Sequence, residues 1–313
     1  MAPYRSRLPQ LTGDVFLTDG GLETTLIFHD GLELPDFAAF GLVATEDGRA
    51  ALRHYILPYL DLARTYNVGF ILDSPTWRAN ADWGTRLGYS AEEVDELNRM
   101  AIAQVAQLRD EYATGQTPIV INGCIGPCGD GYVPGALMTA EEAQAYHTPQ
   151  ITTFSQTDAD MVTALTLNYV DEAIGIARAA RAAAMPVVLS FTVETDGKLP
   201  TGQSLEEAIM AVDAATESAP AYYMVNCAHP THFADVLVAN APWTQRIRGV
   251  RANASRMSHA ELNESPELDE GDPATFGAEH RDLRERVKTL SIFGGCCGTD
   301  HRHVEQICKA CLA

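Results

Sequence analysis

Short runs of β-branched, aromatic and aliphatic residues alternate along this chain with longer stretches whose apolar positions recur at helical spacing. The runs predict strands at 15–18, 69–72, 119–122, 161–165, 187–192, 222–226, 247–251 and 291–293. The stretches between them predict helices at 47–66, 91–112, 140–155, 170–184, 204–215, 231–239, 273–289 and 301–312. Three of these helices carry their own start signal. Ser90, Thr139 and Ser204 each precede a first turn with Glu at its second and third positions, the pattern of a capping box that also suits the helix dipole.

Strict strand–helix alternation gives a parallel sheet. Eight such units in 313 residues point to a closed (β/α)8 barrel (TIM barrel), read as a single domain over residues 1–313. No GxGxxG or Walker loop follows the first strand, which weakens the dinucleotide-fold alternative. Two connections exceed ordinary length, 123–138 after strand 3 and 252–272 after strand 7. Both leave the C-terminal ends of strands, where barrel enzymes build their sites.

Charge and targeting narrow the class further. Asp and Glu number 42 against 22 Lys and Arg, a formal charge of −20, which argues against a general nucleic-acid binder. The opening MAPYRSRLPQ is basic but no apolar core follows it, so no secretory signal is read. No apolar run is long enough to span a membrane, and the expected compartment is cytoplasmic and reducing. There, cysteines serve metals and catalysis more often than structural disulfides, and seven of them cannot all pair within one chain.

The segments that follow each predicted strand concentrate polar and thiol groups on one face. They contain Asp19-Gly20-Gly21, then Asp73, Thr76 and Trp77, then Asn122-Gly123-Cys124, then Thr192 and Glu194, then Asn226-Cys227, then Asn253, and finally Gly294-Gly295-Cys296-Cys297-Gly298. Cys296 and Cys297 are adjacent and flanked by glycine, so both thiols can turn toward one point. A vicinal disulfide between them is strained and is the poor reading. With Cys227 as a third thiolate, the set describes a catalytic zinc site with one open position. The competing reading is that these are small buried core residues. Cys308 and Cys311, one turn apart on the last helix, and Cys124 and Cys128, in the loop after strand 3, read first as packing. His229 and His232 read as a helix cap or surface pair, and His301 and His303 as solvated. Arg246, Arg248, Arg251 and Arg256 form the one basic cluster and read as a solvated face.

On these residues the chain resembles the homocysteine S-methyltransferase family, which includes betaine–homocysteine and S-methylmethionine–homocysteine methyltransferases and the homocysteine-binding domain of cobalamin-dependent methionine synthase. The matching segments are LTDGGLETTL (17–26), INGCIGP (121–127), LSFTVETDGKLPTGQSLEEA (189–208), NCAHP (226–230) and GGCCGT (294–299), in family order over nearly the whole chain. The resemblance implies Zn2+ held by Cys227, Cys296 and Cys297, and an Asp19 that binds the amino group of homocysteine. Closure of a barrel sets strands 8 and 1 side by side, which independently places Asp19 beside Cys296 and Cys297.

Two departures stand out. The family commonly has Glu-Thr just after strand 4, a Glu that also holds the amine; here Leu165-Thr166 stands there. After strand 2, where Thr-Tyr and an uncharged residue are usual, the chain reads Thr76-Trp77-Arg78. Arg78 either presents a cation to a substrate carboxylate or points to solvent. The implied partners are a small-molecule thiol acceptor and a sulfonium or quaternary ammonium methyl donor. Gly20, Gly21, Trp77, Arg78, Thr166, Glu194 and Asn253 are the further candidate substrate-binding residues. The alternatives are a different thiol or selenol acceptor, and a zinc- or thiol-binding protein without turnover. Neither the donor nor the oligomeric state is legible in the sequence.

Overall fold

In the computed structural model, which describes residues 2–265 and 267–312, the apolar runs form eight parallel strands that close in chain order. They are β1 (Phe16–Leu17), β2 (Gly69–Asp73), β3 (Ile119–Ile125), β4 (Met161–Leu167), β5 (Val187–Phe191), β6 (Tyr222–Asn226), β7 (Ile247–Ala252) and β8 (Ile292–Gly295). Closure is by β8 on β1, with Phe16 opposite Ile292 and Leu17 opposite Phe293. The strands are covered on both faces, which is why they read as near-continuous apolar runs rather than alternating ones.

Two layers of core follow from that arrangement. Phe16, Ile71, Val120, Met161, Tyr222 and Met224 belong to a compact cluster drawn from strand after strand, which fills the barrel. The larger cluster takes the opposite strand positions, such as Leu72, Ile121, Leu189 and Val225, and packs them against the helices. The segment before β1 caps the N-terminal end. Leu8 joins the inner cluster, the buried Gln10 amide donates to the Tyr222 hydroxyl (3.4 Å), and Arg5 donates to the carbonyls of Ser155, Thr157 and Ala159.

The main helices are α1 (Glu46–Tyr66), α2 (Ala91–Tyr112), α3 (Ala140–Ser155), α4 (Val170–Ala182), α5 (Leu205–Thr216), α6 (Pro230–Phe233), α7 (Pro273–Arg286) and α8 (His301–Leu312). Ser90, Thr139 and Ser204 form the capping boxes their sequences announce. Three expected helices are shorter than their sequence pattern, and the one expected over 170–184 ends at Ala182, where Ala184 turns left-handed. The helix expected over 231–239 ends as α6 and continues only as a 3-10 turn at Ala234–Val236, because the β-branched Val236 and Val238 favour extended backbone and Asn240 turns left-handed. The helix expected to run to 289 stops at Arg286, where Val287 is already extended toward β8. The long connection after β7 is not irregular throughout: it holds a short helix, His259–Glu264, with a capping box on Ser258. Among the described residues no helix is long and apolar enough to cross a membrane.

Candidate active site

A cavity of about 400 Å³ opens at the C-terminal ends of the strands. Its floor is an ionic lattice. Arg251, in β7, is buried and donates to both Asp19, just after β1, and Asp73, at the end of β2. Asp19 also accepts from the Tyr55 hydroxyl of α1 (3.0 Å), and Asp73 accepts from the Asn122 amide (2.7 Å). Burial pushes the Asp19 carboxyl above its ordinary range and the Asp73 charge adds to this, while Arg251 and the Tyr55 hydroxyl oppose it. Burial acts on Arg251 in the opposite sense to its two carboxylates, and the carboxylates prevail, so its guanidinium stays charged. The reading of Arg251 as part of a solvated face is therefore corrected. A barrel strand alternates its side chains inward and outward, and this one falls inward beneath the cavity.

Above this floor lie the thiols. Cys227 follows β6, and Cys296 and Cys297 follow β8; their three sulfurs lie within 4.8 Å of one another. β7 pairs with both β6 and β8, which brings the two strand ends together. Cys227 takes a left-handed backbone (φ 51°), as does Thr166 at the irregular end of β4 (φ 64°). Such conformations are costly for residues with a Cβ and gather at sites. Gly21 is required for close approach, since a Cβ there would come 2.5 Å from the Cys296 carbonyl oxygen. Cys227 and Cys296 are joined as a disulfide, with Cα atoms 5.3 Å apart, and Cys297 is a free thiol. The sequence spacing held no sign of this bond, because it depends on two segments that meet only when the barrel closes.

The donor set passes a test of fit to zinc. Tetrahedral zinc bound by sulfur at about 2.3 Å sets its thiolates about 3.8 Å apart, and three sulfurs inside 4.8 Å match that once the disulfide is reduced. Burial pushes the Cys297 thiol above its ordinary value, opposed by the Tyr132 hydroxyl 3.6 Å away. Thr166 Oγ1 lies 3.9 Å from the Cys227 sulfur and is itself held by the Asn226 amide (2.9 Å).

Other expected residues fall as follows. Gly20, Gly21, Trp77, Arg78, Thr166 and Asn253 line the cavity with Asp19 and the cysteines. Asn253 Nδ2 donates to the Cys227 carbonyl (3.1 Å). Glu194 does not line the cavity; it lies behind His259, 3.4 Å from Nδ1. Arg78 does not simply extend to solvent. Its guanidinium lies 4.5 Å from the Trp77 ring centre and 3.7 Å from that of Trp83, with Nε buried and unpartnered. Leu165 lines the cavity, as does Cys124, whereas Cys128 turns to Asp82 (3.1 Å). Cys308 is core. His229 caps α6, accepting from the Thr231 amide. The expectation of a solvated His303 is corrected: it is buried, its Nε2 donating to the Glu270 carbonyl (2.8 Å), because the first turn of α8 faces inward onto the loop after β7.

Among the cavity residues absent from the sequence candidates are His259 and Glu23. His259 donates from Nε2 to the Cys227 carbonyl (2.6 Å) and packs on Tyr132, ring centres 4.3 Å apart. It lies 32 residues beyond Cys227 in a loop without periodicity, and the Ser258 cap followed by Glu261 was the available signal. Glu23 lines the cavity too, and burial pushes its carboxyl up to about 7. It stood in the sequence as the residue after Asp19-Gly20-Gly21-Leu22, with nothing to show which way it turned.

Comparisons with known proteins agree on the architecture. Residues 16–311 match the family model described as homocysteine S-methyltransferase. The homocysteine methyltransferase MmuM from Escherichia coli is similar in structure: its oxidized form gives a TM-score of 0.76 at 18% identity, over 97% of this chain and 98% of that one. Its metallated form gives 0.75 at 19% identity over the same shares. Its apo form gives 0.69 at 18% identity, over 98% of this chain and 99% of that one. No curated protein matches the sequence.

Proposed function

The chain belongs to the homocysteine S-methyltransferase family, and from that membership we propose that it is a zinc-dependent S-methyltransferase. It moves a methyl group from a sulfonium or quaternary ammonium donor to the thiolate of homocysteine, giving methionine. The observation that carries the reading is the convergence of Cys227, Cys296 and Cys297 at the mouth of the barrel, three sulfurs within 4.8 Å. Those three residues would hold the zinc, whose contribution when bound is to deprotonate the acceptor thiol, ordinarily only a few per cent thiolate at neutral pH.

The remaining chemistry belongs to the chain. The thiolate sulfur attacks the methyl carbon in line; the S–CH3 bond forms as the donor's bond to that carbon breaks toward its positive sulfur or nitrogen, which becomes neutral. No general base acts in this step. Tyr132, with its hydroxyl 3.6 Å from the Cys297 sulfur, and Thr166, beside Cys227, donate to the protein thiolates and orient them. Asp19 takes the acceptor's ammonium, since a carboxylate with two partners retains acceptor capacity. Trp77 and Tyr132 offer ring faces to the cationic donor, an attraction of about 0.5–2 kcal/mol each. Arg78 lies over Trp77 and His259 packs on Tyr132, so the donor meets what those neighbours leave open.

The test is a matrix of onium donors against homocysteine, with reduced, zinc-loaded protein and methionine as the readout. Cys297→Ser is expected to lose both zinc and methionine formation; full activity in metal-stripped protein would sink the reading. Leu165 at the cavity wall favours one second reading, another thiol or selenol acceptor, which mass spectrometry of methylated products separates.

A further inference from the structure

Two opposite charges line the cavity without an ion-pair partner among the described residues. Glu23, on the short helix Leu22–Thr24 after β1, has only its own backbone amide on its carboxylate and closes no ion pair among the described residues. Arg78, after β2, makes no ion pair, and its Nε is buried without a partner. The two are near enough for each to favour the other's charged form, yet no ion pair closes between them. Asp130, which also lines the cavity and acts on Arg78 more strongly than Glu23, is held by the Tyr132 and Val133 amides, while Asp19 and Asp73 share Arg251. Burial disfavours the charge on both free groups, raising the Glu23 carboxyl and lowering Arg78. Unpaired charge kept in a half-buried cavity is unfavourable unless something that binds there pairs with it.

We propose that Glu23 and Arg78 are the recognition pair for the zwitterion of an amino-acid acceptor, Glu23 receiving the α-ammonium beside Asp19 and Arg78 the α-carboxylate. This rests on the methyl-transfer reading for the identity of the thiol end. It also accounts for Leu165. The second carboxylate that the family resemblance expects at Leu165, near the end of β4, is supplied here from the β1 side of the cavity. Arg78 suits its role because the guanidinium forks onto a carboxylate, and it already lies against the Trp77 and Trp83 rings.

The experiment is calorimetric titration of reduced, zinc-loaded protein with L-homocysteine, with 4-mercaptobutanoate (no amine) and with 3-mercaptopropylamine (no carboxylate). Glu23→Gln is expected to weaken L-homocysteine binding about tenfold or more and to leave 4-mercaptobutanoate unchanged. Arg78→Met should weaken L-homocysteine similarly and leave 3-mercaptopropylamine unchanged, with Arg78→Lys between it and wild type. Equal weakening of all three thiols, or of none, overturns the pair. So does a rise in the donor's apparent constant with homocysteine binding intact, which would assign Glu23 to the onium cation. The two readings fail separately. Wild-type protein that shows this binding pattern but makes no methionine keeps the pair and loses the methyl transfer. Methionine formed by a Glu23→Gln protein of unaltered homocysteine affinity does the reverse. Wild-type protein that binds no homocysteine loses both.

Discussion

Arg251 shows how one residue ties stability to function. Its guanidinium neutralises two buried carboxylates from β1 and β2 while standing in β7, so three strands depend on one cation. Arg251→Met is expected to cost about 3–5 kcal/mol in urea denaturation, because Asp19 and Asp73 are left buried, adjacent and uncompensated. The double variant Arg251→Met with Asp73→Asn should recover part of that loss. Asp19 was legible from its place after the first strand. Its partner was not, since an arginine in a basic-looking segment carries no mark of the face it occupies. Glu23 behaves likewise: the residue type was visible, but its direction was not.

At the scale of elements, helix starts are legible where a local cap decides them, and helix ends less so, as Val236, Val238 and Asn240 show. The capping boxes on Ser90, Thr139 and Ser204 form because a hydroxyl and a Glu three positions on satisfy backbone donors whatever the rest of the fold does. Ser90→Ala is expected to lower stability by about 1 kcal/mol with kinetics unchanged, measured by thermal melting and methionine formation. Close approaches between elements were illegible. Gly123 in β3 sits against the Phe154 ring of α3, where an added Cβ would lie 2.6 Å away. Gly123→Ala should therefore destabilise by about 1–3 kcal/mol through overpacking, a cost that no propensity scale contains. The loop after β3 is fixed in the same non-local way. The Cys128 amide donates to Glu172 of α4 (2.7 Å), and Glu172 also bonds His147 of α3 (2.9 Å), which anchors the stretch carrying Tyr132.

For the whole molecule, pH enters through a buried histidine. His280 of α7 lies between helix and barrel, its Nδ1 donating to the Phe276 carbonyl (2.8 Å), and burial lowers its pKa to about 4. The unfolded chain takes up that proton near pH 6.5. Between about 6.5 and 4 the unfolded state binds more protons at this site, so the His280 contribution falls as pH drops, by up to about 3 kcal/mol, while Glu23, raised to about 7, acts in the opposite sense. In His280→Leu, urea midpoints across that window should gain at low pH relative to wild type. The acidic excess, −20 over the chain, acts at the same scale. It sets a long-range field of one sign, but the cavity's selectivity comes from few groups at short range.

The sequence by itself determined the barrel, its strand order and the identity of the convergent cysteines. Those rest on hydrophobic periodicity, on chain connectivity and on the rule that sites gather at strand C-termini. Tertiary structure alone decided which charges cancel and which stay open: Asp19 and Asp73 bound to Arg251, Glu23 and Arg78 without an ion pair among the described residues, and Cys227 joined to Cys296. Each of these is a contact between residues far apart in the chain, and its energy depends on burial and separation. Periodicity fixes the face a side chain occupies in a regular element, but in the loops above the barrel only the closed fold fixes what it meets.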